Sequence, residues 1–200
     1  MIPSHYRALL PVLDQWFARG VAAAGPDVVP CRSGCTACCH GPFDISPADA
    51  ALVAEGLAAL PDAVRTGVRE RAEAQVARYR ELIEGWGPPW DVDGVDEASF
   101  DALCEALRTL PCPALGPEGG CLIYAHRPAT CRMTGLAMLT RDDEVLENVC
   151  PIQGEFPSYA ALPPVPFDLR RFEEMVEEFD LTAGEAGWVA TTVAGVAGRM

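Results

Sequence analysis

Eight cysteines gathered into two short, irregular stretches constrain this chain more than any other feature of it. The first stretch reads Cys31-Arg-Ser-Gly-Cys35-Thr-Ala-Cys38-Cys39-His40. The second runs through Pro111-Cys112-Pro113, Gly119-Gly120-Cys121-Leu-Ile-Tyr124, Arg127-Pro128-Ala-Thr-Cys131-Arg132 and Cys150-Pro151. The chain around them is acidic: 15 basic residues, every one an arginine, against 29 acidic ones, a formal charge of −14. Thiolates grouped on such a chain repel one another unless cations hold them together. The total of nine cysteines is odd, which argues against a complete disulfide framework. The N-terminal sequence lacks the basic segment, long apolar run and small-residue cleavage site of a secretory signal. A cytoplasmic protein is therefore expected, and there a dense cysteine set means metal or redox chemistry.

Each stretch carries local devices for holding thiolates. Gly34 lets the first curl back so that its sulfurs converge, and amides exposed in such a curl stabilise negative sulfur. Adjacent residues of extended chain point in opposite directions, so Cys38 and Cys39 either serve two metals or one binds and the other supports it. In the second stretch, Pro111, Pro113 and Pro151 restrict the backbone beside Cys112 and Cys150. Gly119 and Gly120 permit a tight turn before Cys121. Pro128 is expected to open a helical turn whose amides lower the pKa of Cys131. Arg127 and Arg132 flank Cys131 and are expected to offset thiolate charge as contacts of the bound cofactor. The ninth cysteine, Cys104, lies on the apolar stripe of a helix beside Leu103, where an inert core thiol is expected.

Outside the cysteines the chain reads as mainly α: one domain over residues 1–200, with a cysteine-bearing core over 31–150 and flanking helices over 4–24 and 168–199. Leu9, Leu13, Trp16 and Gly20 share one face of the first helical segment, which Pro11 kinks or delays. Ser46-Pro47-Ala48-Asp49 is a helix start, with Ser46 as N-cap and an acid in the first turn, and Leu52, Val53, Leu57 and Leu60 follow as its buried face. Pro61 separates this helix from a long one with Val64, Val68, Ala72, Val76, Tyr79 and Ile83 on its apolar side. Residues 85–97 form a loop by their Gly, Pro and Asp content, and Phe100, Leu103, Leu107 and Leu110 mark a short helix after it. Residues 111–164 show no sustained period. Two helices are expected to close the chain, one after Asp168 with Leu169, Phe172, Val176 and Phe179, and one after Thr182, where Thr182-x-x-Glu185 forms a capping box.

The pattern C-x3-C-x2-C-C, followed by PCP, GGCLIY, HRPATCR and a last Cys150, resembles the YkgJ-like cysteine-cluster proteins of bacteria, the CxxCxxCC zinc- or iron-chelating family. The resemblance spans Cys31 to Cys150 and implies a metal or iron–sulfur site held by Cys31, Cys35, Cys38, Cys39, Cys112, Cys121, Cys131 and Cys150. All-sulfur ligation selects zinc, iron–sulfur or Cu(I), not magnesium or calcium. The compact triple Cys31, Cys35, Cys38 favours an iron–sulfur cluster of the 4Fe-4S type, with zinc as the alternative, because the chain has one C-x2-C pair where structural zinc usually has two. His40 and His126 are expected to support or face solvent, since eight thiolates suffice for two four-ligand sites. His5 is expected at the surface, Tyr124 to pack with its hydroxyl satisfied, and Glu173, Glu174, Glu177 and Glu178 to form a solvated helix face.

Two functions follow. One is a metal-binding module, redox or structural, that acts with a protein partner. The alternative is an iron–sulfur enzyme, because the triple coincides with that of radical enzymes using S-adenosylmethionine, and flagellin lysine-N-methylases carry a similar cysteine-cluster domain. The acidic field and the lack of a basic cluster exclude nucleic acid and an anionic membrane surface as partners.

Overall fold

The computed structural model describes residues 4–32, 34–147 and 150–200. Its helices follow the apolar stripes. Pro11, which lacks an amide proton and fixes φ, divides the first segment into α1 (Ser4–Leu9) and α2 (Pro11–Ala24). Ser46 accepts from the Asp49 amide at 3.3 Å and opens α3 (Pro47–Ala58), as the sequence predicts. Pro61 then precedes α4 (Asp62–Leu82), whose Val68, Ala72, Val76 and Tyr79 are buried. Asp96 caps α5 (Glu97–Ala106) through the Ser99 amide at 3.0 Å. Within residues 111–164 lie α6 (Ala129–Met133), a strand pair β1 (Met138–Leu139) and β2 (Val145–Leu146), and α7 (Pro157–Ala160). β3 (Val165–Pro166) runs parallel to β1 on its other side, giving the order β2-β1-β3. The chain ends with α8 (Leu169–Glu185) and α9 (Val193–Ala197).

α3 occupies the middle: α8 lies on one side of it, α9 and the turn at Tyr124–His126 on others, while α4 packs on α9 and α2 on α6. Three apolar clusters result. The largest joins α3, α4, α5 and α9 around Leu57, Tyr79, Trp90 and Leu103. A second gathers Tyr6, Leu10, Leu13, Leu52 and Phe172. A third gathers Trp16, Leu136, Met138, Tyr159 and Cys150. No helix among the described residues is long and apolar enough to cross a membrane.

Two elements differ from the sequence reading. Thr182 does not start a helix: its hydroxyl donates to the Glu178 carbonyl at 2.8 Å from inside α8, which continues to Glu185. A threonine that bonds back one turn satisfies itself within an existing helix, so a capping-box pattern there is not a terminus. Gly187, at φ +88°, ends the helical path instead, and Thr192 caps α9 by accepting from the Gly195 amide at 2.9 Å. The loop 85–97 is irregular as expected, yet it sends Trp86 and Trp90 into the largest cluster, where both rings meet Tyr79. The strands in the irregular segment were not legible at all. They are only two residues long, and their connection is closed by the Thr140 amide donating to the Glu144 carbonyl at 2.9 Å and the Glu144 amide to Thr140 Oγ1 at 3.2 Å.

Candidate metal centre

The first cysteine stretch is a pair of tight turns. The Cys35 amide donates to the Arg32 carbonyl at 2.9 Å and the Cys39 amide to the Thr36 carbonyl at 2.8 Å, with Gly34 at φ +84° inside the first turn. The second stretch is laid against the first by backbone bonds. Cys112 N donates to the Cys39 carbonyl at 2.8 Å, Gly41 N to Leu110 O at 2.7 Å, and His40 pairs with Pro111. Cys121 pairs with Leu115, so Cys112 and Cys121 are arms of one narrow loop. Gly119 turns that loop at φ +78°, and a Cβ there would lie 3.1 Å from Thr36 Cγ2 and 3.3 Å from the Gly34 carbonyl. Glycine is required at this position both for its dihedral and for close approach of the two stretches.

The thiols sort into two neighbourhoods. Cys31 acts on charge with Cys150, Cys35 and Cys38, and Cys150 with Cys38 and Cys35. Cys39 feels Cys38, Cys112 and Cys131, Cys112 feels Cys121, and Cys131 feels Cys112, Cys121 and, across the two groups, Cys38. Cys38 and Cys39 join the two groups through a direct hydrogen bond. Packing places three of the eight: Cys112 and Cys121 rest on the largest apolar cluster, whereas Cys150 belongs to the third. Cys31 and Cys38 are exposed and the other members are half-buried or, at Cys150, buried. Among the described residues no three His, Cys, Asp or Glu side chains are drawn into a ligating cage. The donor set still fits a soft ion in its chemistry, because all eight groups are sulfur.

Electrostatics penalise these thiols as they stand. Burial, then the neighbouring Cys150, Cys35 and Cys38, pushes Cys31 up to about 11. Burial pushes Cys112 to about 11, opposed by the Ala114 and Leu115 amides and the Arg71 charge. Burial first and then the other thiols hold Cys131 far above the ordinary thiol range. The expected lowering at Cys131 is thereby overturned: the Ala129 amide of its helical turn is already spent on the Asp49 carboxylate, at 3.1 and 3.2 Å. Cys38 alone is brought down, to about 6, chiefly by the hydrogen bond from Cys39, with backbone, Arg127 and His40 assisting.

The two arginines diverge. Arg127 brings positive charge to both Cys38 and Cys121. Its guanidinium lies 4.1 Å from the Tyr124 ring centre, donates to Asp14 Oδ1 at 2.8 Å, and leaves Nε buried without a partner. Arg132 is buried and turned elsewhere: Nε donates to Arg127 O at 3.1 Å, Nη2 to Ala125 O at 3.2 Å, and Nη1 pairs with Asp14. Tyr124 does not pack inside as expected; it is 62% exposed. His40 donates from Nδ1 to the Thr36 carbonyl at 2.9 Å, and His126 lies against Gly56 of α3. Cys104 stands apart: burial and the charges of Asp101 and Asp44 raise it to about 11.

Two contributors lie outside the cysteine motif. Arg71 on α4 donates Nε and Nη2 to the Pro113 carbonyl at 3.1 and 2.8 Å, clamping the residue next to Cys112. Its place at the edge of the Val68–Ala72 stripe, rather than on the opposite face, was the available signal. Tyr159 on α7 donates its hydroxyl to the Gly135 carbonyl and shares the third apolar cluster with Cys150, and nothing in the sequence pointed to it. The CxxCxxCC family model, described as a zinc- or iron-chelating domain, matches residues 30–151. The chain belongs to the CxxCxxCC family. The match takes in all eight grouped cysteines and Arg71 but stops before Tyr159, α8 and α9. No curated protein and no solved structure shows significant similarity to the chain.

Proposed function

We propose that this CxxCxxCC protein binds two soft-metal centres side by side, one through Cys31, Cys35, Cys38 and Cys150 and the other through Cys39, Cys112, Cys121 and Cys131. The reading assigns an iron–sulfur cluster to the first set, whose C-x3-C-x2-C triple suits a cubane, with zinc as the alternative in either. One observation supports it: Cys112 and Cys121 rest on the largest apolar cluster, with the Cys112 amide bonded to Cys39, whereas Cys150 is buried in the third cluster and interacts by charge with Cys31, Cys35 and Cys38. Buried thiols that raise one another's pKa are costly company, and a bound cation converts that repulsion into ligation. Adjacent Cys38 and Cys39 then serve different centres, as their opposed side-chain directions favour. The module works with a protein partner, in a redox or structural capacity.

Anaerobic purification followed by metal and sulfide analysis, visible absorption and EPR tests the proposal. Two centres per chain are expected, with loss of one on substituting Cys150 and of the other on substituting Cys112. A single centre, or none, refutes it.

A further inference from the structure

Beside α8 and the start of α3 lies an open groove of about 860 Å3, lined by Pro47, Val176 and Leu181 together with Glu173, Glu177 and Glu185. The periodicity of α8 produces it. Phe172, Val176, Phe179 and Ala183 recur at steps of three or four and turn to the second apolar cluster, where α8 packs on α3. The next stripe round the helix, Glu173, Glu177 and Leu181, borders the groove. Leu181 is 64% exposed, more than any other large apolar side chain among the described residues, and Gly184 leaves open space where a side chain would stand. Apolar surface left in water beside a concavity is recovered when a partner's apolar side chain covers it. The charge of the groove is equally one-sided. Asp180 is spent on the Ala48 amide at 2.9 Å, and Glu174 on Arg170, the one basic residue of the lining, at 3.5 Å. Glu173, Glu177 and Glu185 make no ion pair among the described residues. Glu173 and Glu177 stand one helical turn apart, where like charges repel.

We propose that this groove docks a basic amphipathic helix of a protein partner, with an apolar side chain of that helix seated between Pro47, Val176 and Leu181 and its Arg or Lys residues facing Glu173, Glu177 and Glu185. Length and spacing favour a helix. From Glu173 to Glu185 α8 runs about 18 Å, room for about three turns, and a partner helix repeats its charges at the same pitch as Glu173 and Glu177. Charge selects a basic one, since pairing there relieves the repulsion that α8 carries and steers encounter with an acidic chain. A second copy of this chain is a poor occupant, because at −14 each copy brings acid to acid. A basic segment without apolar residues matches the charge but leaves Leu181 in water. The inference takes from the reading above only its protein partner; no cysteine and no metal enters it.

The test uses the whole chain as purified and three fluorescein-labelled synthetic peptides read by anisotropy: a helix with leucine on one face and arginine on the other, the same peptide with serine for leucine, and the same with glutamate for arginine. The Leu/Arg peptide is expected to bind, more weakly as salt is raised, and each of the other two at least about tenfold more weakly. Leu181→Ser and the double variant Glu173→Gln/Glu177→Gln are each expected to weaken the Leu/Arg peptide by about tenfold. The double variant Glu70→Gln/Glu84→Gln, which removes the same charge from exposed positions outside the groove, is expected to leave it unchanged. All the substituted side chains are exposed, and circular dichroism checks that each variant folds. Absence of binding up to about 1 mM peptide, equal weakening by the groove and control variants, or equal binding of the serine peptide overturns the inference. So does a wild-type dimer in sedimentation that Leu181→Ser dissociates, because a second copy then fills the groove. Metal analysis of the same wild-type sample judges the two-centre reading separately: fewer than two centres refutes that reading and leaves the peptide result standing.

Discussion

Asp49 is a carboxylate buried at 3% exposure in a helix start, and replacing it with asparagine isolates what burial does to it. Burial raises its pKa from the usual 3.8 to about 6; hydrogen bonds from Tyr6 Oη at 2.5 Å and the Ala129 amide pull the other way, Asp180 adds to the rise and Arg132 opposes it. A group with a raised folded pKa binds its proton more tightly folded than unfolded. Its favourable contribution is therefore complete below the unfolded value and is lost as pH rises through the folded one. At about 1.4 kcal/mol per tenfold in proton affinity, the whole difference is about 3 kcal/mol, of which about 2 kcal/mol is lost between about pH 4.5 and 7.5. Asp49→Asn has no such dependence. Urea unfolding of both proteins at the two pH values, with metal content matched, should show the variant gaining about 2 kcal/mol on wild type as pH is raised. A constant gap, or one that moves in favour of wild type, refutes the reasoning, because it means that Tyr6, the Ala129 amide and Arg132 outweigh burial.

Further expectations concern the cysteines and arginines. Cys104→Ser should leave metal stoichiometry unchanged and lower stability by about 1 kcal/mol, since the thiol sits on an apolar stripe and feels no other cysteine; a changed metal count by elemental analysis contradicts this. Arg127→Ala should speed metal loss to a chelator by about 10–100-fold, whereas Arg132→Ala should chiefly lower stability, by about 2 kcal/mol, because its bonds go to Asp14 and two carbonyls. Equal chelator curves for the two variants contradict that division. In protein reconstituted with iron and sulfide, S-adenosylmethionine should leave the visible and EPR spectra of wild type unaltered, because Cys150 fills the position that the Cys31, Cys35, Cys38 triple leaves open; a perturbed wild-type spectrum restores the enzyme reading.

Much of the chemistry and part of the fold were legible in the residues alone. The eight sulfurs declared the class of ligand, Ser46-Pro47 the start of α3, the Val68 to Tyr79 spacing the buried side of α4, and Pro11 a break. Each of these is a local relation, settled within one or two helical turns by sterics, amide pairing and periodic burial. Thr182 shows the limit even of local rules: the same hydroxyl caps a new helix or bonds back into an old one, and only the packing of α8 on α3 chooses. The tertiary structure alone decided that Cys150 neighbours Cys31 while Cys112 neighbours Cys39, that Arg132 turns from the thiols to Asp14, and that Arg71 and Tyr159 reach the cysteine loops. Those relations join residues far apart in sequence. Their energies come from shared burial and charge in a medium that exists only once the helices have packed, so spacing along the chain carries no trace of them.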